Sequence, residues 1–395
     1  MADRRTTLDE LREAFARRTR TEARDWFPVF KARYGMREVF RAAADVHGAG
    51  QVVTTLFTGC TAVDSIFSAG LSARYDAIDP ATLTVDVRAL SLDESVRAVI
   101  IQNSYGIIDE RASAEAAAKA HDAGALFMED SAHCVTRMAR DAEGRPLADV
   151  SIHSLGIEKQ FSIGFGGLVW VSPDMPDAAL RERIVSALGS LPEPPARLSR
   201  NARRYRTQNR VLAHLPGSLG PALRAWLTSS GGLEPPVAAV EQRGELPYPS
   251  YLPSDEIAHR ILAALPGIDD DEAVRRLWVA GYADALEGED RLSIPRGALE
   301  VGRTQPLTRF PIVLSDEPRA RALIDDLRSH GFYCVDWYRV PFYPGATELS
   351  AYGVSEADQA YRDFRSTYGG IVGLPTDLDP SRMAEALEIV RGHLG

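Results

Sequence analysis

The chain carries 45 basic residues, and only three of them are lysines: Lys31, Lys119 and Lys159. Arginine stands almost everywhere that a positive charge alone would serve. A position that keeps lysine is therefore a candidate for chemistry that needs an amine. A guanidinium stays protonated in a protein and forms no Schiff base. A lysine amine can be deprotonated and attack a carbonyl once burial or a neighbouring charge lowers its pKa. Chance retention is the ordinary alternative. It suits Lys119, which lies in an Ala-rich helical pattern around 114–120 with the look of a solvated face. Lys31 falls in an N-terminal stretch without a clear period.

Lys159 differs in its neighbours. Glu129-Asp130-Ser131-Ala132-His133 follows the apolar run ALFM. Ser154-Leu155-Gly156-Ile157-Glu158-Lys159 follows VSIH, and Gly164-Phe165-Gly166-Gly167 leads into LVWV. The acidic group and the lysine, 29 residues apart, leave two strands by the same edge, and a turn region at 140–147 lets those strands be adjacent. A pyridoxal phosphate (PLP) site needs an amine to hold the aldehyde. It needs a carboxylate to keep the pyridine nitrogen protonated, and N–H and hydroxyl groups for the phosphate. Lys159, Asp130 and Ser154 could supply these in turn. The plainer readings are a surface lysine, a strand-end cap and a turn hydroxyl.

Elements that alternate in type must position these groups. From residue 34 to about 175, helical patterns (35–47, 61–69, 112–122) alternate with strands (51–57, 74–78, 97–102, 125–128, 150–154, 168–171). The run RAVIIQ is nearly continuously apolar, as in a strand covered on both faces. Such alternation predicts a largely parallel sheet under helices, with ligands at the carboxyl ends of the strands. Residues 173–250 are rich in Pro and Gly and contain RLSRNARRYRTQNR at 197–210. They read as an insert of short helices and loops. Its Arg cluster reads as a solvated or subunit-facing helix rather than a nucleic-acid patch, with an anionic substrate site as the sharper alternative. From about 252 regular structure returns: helices at 256–264, 271–286, 318–329 and 380–393, and strands at 309–314, 332–337 and 372–375. The expected organisation is an N-terminal helical segment (1–33), a large domain (34–250) and a smaller α/β domain (251–395).

The order EDSAH, SxxxxK, GxGG before an apolar strand resembles the DegT/DnrJ/EryC1/StrS aminotransferases, PLP enzymes of fold type I. The upstream stretch VVTTLFTGCTAVDSIFSAGLSARYDAIDPATLTVD, the IIQNSYG segment and the closing GLPTDLDPSRMAEALEIV are similar to the family's pattern. The resemblance covers residues 30–175 well and 300–395 loosely. It implies a type I fold: a large domain with a mostly parallel sheet covered by helices, plus a smaller C-terminal α/β domain. By position it makes Lys159 the Schiff-base lysine and proton shuttle. Asp130 becomes the partner of the pyridine N–H, His133 the neighbour of the ring oxygen and Ser154 a phosphate ligand. Gly35, Met36 and Arg37 occupy the place of a phosphate turn at a helix N-terminus, although the hydroxyl residue of the family pattern is missing there. Thr58, Cys60 and Tyr105 are candidates for the cofactor wall. Tyr105 could stack on the ring, although an aromatic at a strand end is more often core. An interior histidine with satisfied hydrogen bonds is the plain alternative for His133. Phe165 departs from the family, where many members have Glu. Tyr338 and Arg339 either face substrate or end a solvated strand.

Composition bounds the rest. The formal net charge of −10 disfavours general binding to nucleic acid or anionic membrane. No run approaches the ~18 apolar residues of a membrane helix, and the N-terminus has no signal-peptide core. Cys60, Cys134 and Cys334 are scattered and odd in number, which suggests no disulfide framework and fits a cytoplasmic protein. The eight histidines form no HExxH or Cys/His cluster, so no metal is expected. There is no P-loop, dinucleotide fingerprint or GxSxG elbow. The reading is an aminotransferase moving an amino group from a donor such as glutamate to the keto group of a sugar, cyclitol or related specialised metabolite. It is expected to act as a homodimer with active sites at the subunit interface. The alternatives are another PLP reaction on an unusual amino acid (decarboxylation, elimination or condensation) and a PLP-fold protein that binds without turnover.

Overall fold

The computed structural model describes residues 2–161 and 163–394, with side chains from residue 6 onward and Met1, Ser162 and Gly395 outside the description. Helix α1 (Ala2–Thr19) leads through a short turn into β1 (Trp26–Val29), α2 (Ala32–His47), β2 (Gln51–Thr54), α3 (Cys60–Phe67) and β3 (Ser72–Tyr75). A two-residue pair, β4 (Ile78–Asp79) and β5 (Thr84–Val85), precedes β6 (Val96–Gln102), α4 (Glu110–Asp122), β7 (Leu126–Asp130), β8 (Val150–Ser154) and β9 (Gly167–Val171). The large sheet has the order β1-β9-β8-β7-β6-β2-β3. Strands β3, β2, β6, β7 and β8 are mutually parallel, and β9 runs antiparallel to both its neighbours.

Side-chain alternation decides which faces are covered. Ala98 and Ile100, Leu126 and Met128, Val150 and Ile152, and Val169 and Val171 point to one face, where they pack with Val39, Phe40 and Ile66 of α2 and α3. Val99, Ile101 and Phe127 point to the other, under Ala112, Ala116 and Ala120 of α4. Both faces of β6 are thus dry, which explains its unbroken apolar run. At the β1–β9 edge, Trp26, Leu168 and Trp170 meet Leu11 and Phe15 of α1.

The insert forms three helices: α5 (Ala178–Gly189), α6 (Ala196–Ala213) and α7 (Leu219–Ser229). Helix α6, at 18 residues, is longer than the short helices expected. Then come α8 (Asp255–Ala264), α9 (Ile268–Leu286), α10 (Arg296–Leu299), β10 (Arg309–Val313), α11 (Glu317–Ser329), α12 (Gln359–Tyr368), β11 (Ile371–Pro375) and α13 (Met383–Gly392). Strands β10 and β11 pair antiparallel, and their inner side chains pack with α9, α11 and α13 around Trp278, Tyr282 and Phe310.

Several expectations are corrected. The segment 1–33 is only partly helical, since β1 is the edge strand of the large sheet. Pro28 is tolerated there because an edge strand has an N–H row free of ladder duties. Helix α2 starts at Ala32, not at Gly35. The boundary drawn at 250/251 precedes α8, yet Ile257, Ala258 and Ile261 of α8 belong to the core around Trp26 and Leu168. The second core therefore gathers from α9 onward. Residues 332–337 form no strand. Phe332 N–H closes the end of α11 on the Leu327 carbonyl (2.9 Å), and the Cys334 carbonyl is taken by Arg328 Nε (2.9 Å). This apolar stretch is instead an arm that crosses to the large domain, where the Trp337 carbonyl accepts from the Tyr105 hydroxyl.

Candidate active site

Strand parity places the acidic group. Asp130 has the parity of Leu126 and Met128, and Ser154 that of Val150 and Ile152. Both therefore stand on the face covered by α2 and α3, at the carboxyl ends of adjacent parallel strands. A cavity of about 380 Å³ opens there, and Asp130, Ala132, Ser154, Lys159, Gly59 and Thr61 are among the residues that line it.

Lys159 is buried. Desolvation lowers its amine pKa to about 8, against the carboxylates of Asp130 and Glu158, which raise it; Arg33 lowers it further. Burial raises the Asp130 carboxyl, and the charge of Lys159 holds it back. The Ala132 N–H donates to Asp130 Oδ1 (3.1 Å) and fixes the carboxyl's orientation. Glu129, of opposite parity, points away from the cavity. It accepts from Asn103 Nδ2 (2.8 Å), Ala139 N (2.9 Å) and Ser151 Oγ (3.0 Å).

The Tyr105 N–H donates to His133 Nδ1 at 3.0 Å. That bond places the ring proton on Nε2, which faces the Tyr338 hydroxyl at 3.3 Å. Burial, with the charges of Lys159 and Arg309, pushes the His133 pKa well below its ordinary value, so the ring is neutral. Its face stacks on the Trp337 indole with centroids 4.2 Å apart.

The expected phosphate turn is corrected. Gly35, Met36 and Arg37 lie inside α2, past its first turn, and only Met36 touches the cavity. Gly35 is small because the helix crosses β9 closely: a Cβ there would meet Val169 Cγ2 at 2.4 Å. Arg37 turns away to the Tyr248 carbonyl (2.9 Å) and Ser250 Oγ (2.6 Å). Two helix starts face the cavity: that of α2, through Ala32 and Arg33, and that of α3, which presents Gly59, Thr61 and Ala62. Thr58 and Cys60 flank the turn into α3. The Cys60 thiol is buried, while its N–H donates to the Tyr343 carbonyl (3.0 Å). The signal was in the sequence: the Thr-Gly-Cys-Thr stretch opens the helix that follows a strand.

Tyr105 is also corrected. Its ring is not in the cavity wall but behind it, packed with Phe57, Trp337 and Tyr338, with its hydroxyl donating to the Trp337 carbonyl. Tyr338 lines the cavity, whereas Arg339 turns to Asp336 (2.6 Å). Phe165 lines it and stacks on Phe30. Among the lining residues given no role from the sequence are Lys31, Arg33, Glu158 and Trp337. Lys31 is buried, its ammonium donating to Glu234 Oε1 (2.7 Å) and the Pro235 carbonyl (3.1 Å). Arg33 pairs with the buried Glu241 (2.7 Å). Both partners lie in the insert, beyond the reach of local sequence patterns. The arginines of 197–210 form an exposed face of α6, away from the cavity. Among the described residues, no group of three His, Cys, Asp or Glu side chains is disposed to hold a metal, and no helix is long and apolar enough to cross a membrane.

The model of the DegT/DnrJ/EryC1/StrS aminotransferase family matches residues 36–201, the stretch that contains Asp130, Ser154 and Lys159. The resemblance to that family, one of PLP-dependent aminotransferases, is therefore a property of the large domain. The aminotransferase TlmJ from Streptoalloteichus hindustanus superposes with a TM-score of 0.67 at 20% identity, over 98% of this chain and 90% of that one. The sugar aminotransferase CalS13 from Micromonospora echinospora does so with a TM-score of 0.66 at 20% identity, over 98% and 91%. At such identities these matches establish the fold, type I of the PLP-dependent transferases. A pleiotropic regulatory protein of Geobacillus stearothermophilus is 27% identical over 154 residues, 38% of this chain and 40% of its own length. The chain thus aligns with about two fifths of that relative.

The donor set fits pyridoxal phosphate. It offers the Lys159 amine of lowered pKa, with the second cavity lysine, Lys31, held in its ion pair with Glu234, a carboxylate on the adjacent strand, a strand-end hydroxyl, helix N-termini and, behind Trp337, a neutral histidine.

Proposed function

We propose that the chain is a PLP-dependent aminotransferase that moves an amino group from an amino acid, such as glutamate, to the keto group of a sugar, cyclitol or related metabolite. The observation that carries this reading is the pairing of Lys159, its amine lowered to about 8, with Asp130 across one cavity. When bound, the cofactor supplies an electron sink that makes the donor's α-proton acidic. Lys159 would hold the cofactor aldehyde. Asp130 would keep the ring nitrogen protonated, a task for which an ionised carboxylate opposite an ammonium is suited. Ser154 and the start of α3 would receive the phosphate, where exposed N–H groups and the helix dipole favour an anion. With its amine free, Lys159 Nζ would be placed to take a proton from the donor's α-carbon and to give one back, and a pKa near working pH suits that double duty. His133 stays neutral and donates from Nε2.

The keto-sugar or cyclitol acceptor is supported by the family and by the printed name of CalS13. A homodimer fits the exposed apolar side chains Val211, Leu219 and Trp226 on α6 and α7, and the unpaired, buried cysteines fit a cytoplasmic site. The test is a half-reaction. Protein loaded with PLP is mixed with glutamate, then with 2-oxoglutarate. Bleaching of the yellow colour and its return support amino transfer. Colour indifferent to every amino donor contradicts it.

A further inference from the structure

Glu158 precedes Lys159 and is one of the few non-glycine residues with a positive φ, at +65°. Left-handed backbone at such a residue is held by its surroundings rather than chosen by it. Here the surroundings are three aromatic donors from one stretch of the small domain. Glu158 accepts from Tyr333 Oη (2.9 Å), Trp337 Nε1 (3.3 Å) and Tyr343 Oη (3.2 Å). The same stretch is tied to the large domain by its backbone. Tyr343 N–H donates to the Thr58 carbonyl (2.9 Å), and the Tyr343 carbonyl takes the Cys60 N–H at the start of α3. The Trp337 ring covers His133 and lies 4.8 Å from Lys159 Nζ.

The arm of residues 333–344 thus holds three contacts that a planar, phosphorylated ligand would want: the His133 face, the approach to Lys159 and an N–H of α3. From this we infer that Glu158 is a positioning residue: it latches the arm across the cavity, and the arm withdraws from it when ligand enters. This rests on the proposed function only for the identity of the ligand. The latch is a property of the chain alone.

The experiment compares wild type, Glu158→Gln and Glu158→Ala in two measurements. Amide hydrogen exchange of the ligand-free protein, read at Cys60 and Tyr343, reports the arm. The rate at which added pyridoxal phosphate develops its protein-bound absorbance reports entry. Loss of three hydrogen bonds to a charged acceptor is expected to speed exchange at both amides in Glu158→Ala by about tenfold or more. Capture, read well above pH 8 so that losing the Glu158 charge does not itself free more Lys159 amine, should quicken in parallel, with Glu158→Gln between the two. Unchanged exchange in a folded Glu158→Ala protein overturns the latch, as does capture that is unchanged or slower. Should Glu158→Ala not fold, the double variant Tyr333→Phe and Tyr343→Phe removes two of the donors and is judged by the same two readings. If wild type develops no absorbance at all, the proposed function fails, while the exchange data still decide the latch.

Discussion

Asp130 and Lys159 leave adjacent parallel strands at the same edge, and each favours the charged form of the other inside a cavity that disfavours both charges. Burial alone would leave a neutral acid beside a neutral amine. Their mutual field keeps the acid able to ionise and opposes the burial that lowers the amine from its ordinary 10.5 to about 8. The pair is therefore poised, and its pH behaviour can be tested.

Only the neutral amine attacks an aldehyde. The rate of pyridoxal phosphate capture should rise with pH through a midpoint near 8. Asp130→Asn removes a charge that raises the Lys159 pKa, so the midpoint should move down. A midpoint at the ordinary lysine value, or one that Asp130→Asn leaves in place, contradicts the coupling.

Asp130→Asn should still take up colour, because Lys159 remains. Its half-reaction with glutamate should slow by about 100-fold or more, the scale of losing a charge preorganised for the transition state. Single-turnover kinetics measure this directly. Colour together with an undiminished rate would remove Asp130 from its assigned role.

Gly35→Ala separates packing from phosphate binding. A methyl there meets Val169 at 2.4 Å, so the variant should lose roughly 1–3 kcal/mol of stability by overpacking. Its affinity for pyridoxal phosphate should be nearly unchanged. Denaturant midpoints and a cofactor titration are the two readings. A large loss of affinity at unaltered stability would restore Gly35 to the phosphate site.

His153 is fully buried between Trp26 and Phe15, and its Nδ1 donates to the Cys134 carbonyl (3.1 Å). Burial lowers its pKa from 6.5 to about 4. Its contribution is present above the unfolded pKa. Below 6.5 the unfolded chain binds a proton that the folded one refuses, so stability falls until the pH passes about 4. The loss is about 3 kcal/mol. The difference in unfolding free energy between pH 7 and pH 4.5 should shrink in His153→Asn by an amount of that order. An identical pH dependence in the variant would show that His153 does not titrate this way.

What was legible in the sequence was what local pattern controls. The apolar run of β6, the placement of Asp130 and Ser154 at strand ends, and the helix expected at 112–122 follow from local composition and period, and the structure has them, the helix starting at Glu110. The misplaced features were set by distant contacts. The start of α2 moved because Ala32 packs on Gly167, where a Cβ on the glycine would come within 2.7 Å of backbone. The 332–337 stretch has the composition of a strand but no neighbouring strand to pair with, so its aromatics turned to Glu158 and His133 instead. Lys31 and Arg33 gained meaning only through Glu234 and Glu241, some two hundred residues away in sequence.

The central claim is that Lys159, of the three lysines, holds the cofactor. Protein incubated with pyridoxal phosphate can be reduced with borohydride, digested and mapped by mass spectrometry, beside Lys159→Ala and Lys159→Arg. One reduced pyridoxyl adduct is expected, on the peptide carrying Lys159, with no adduct and no colour in either variant. A principal adduct on Lys31 or Lys119, or equal labelling of wild type and Lys159→Ala, would contradict it.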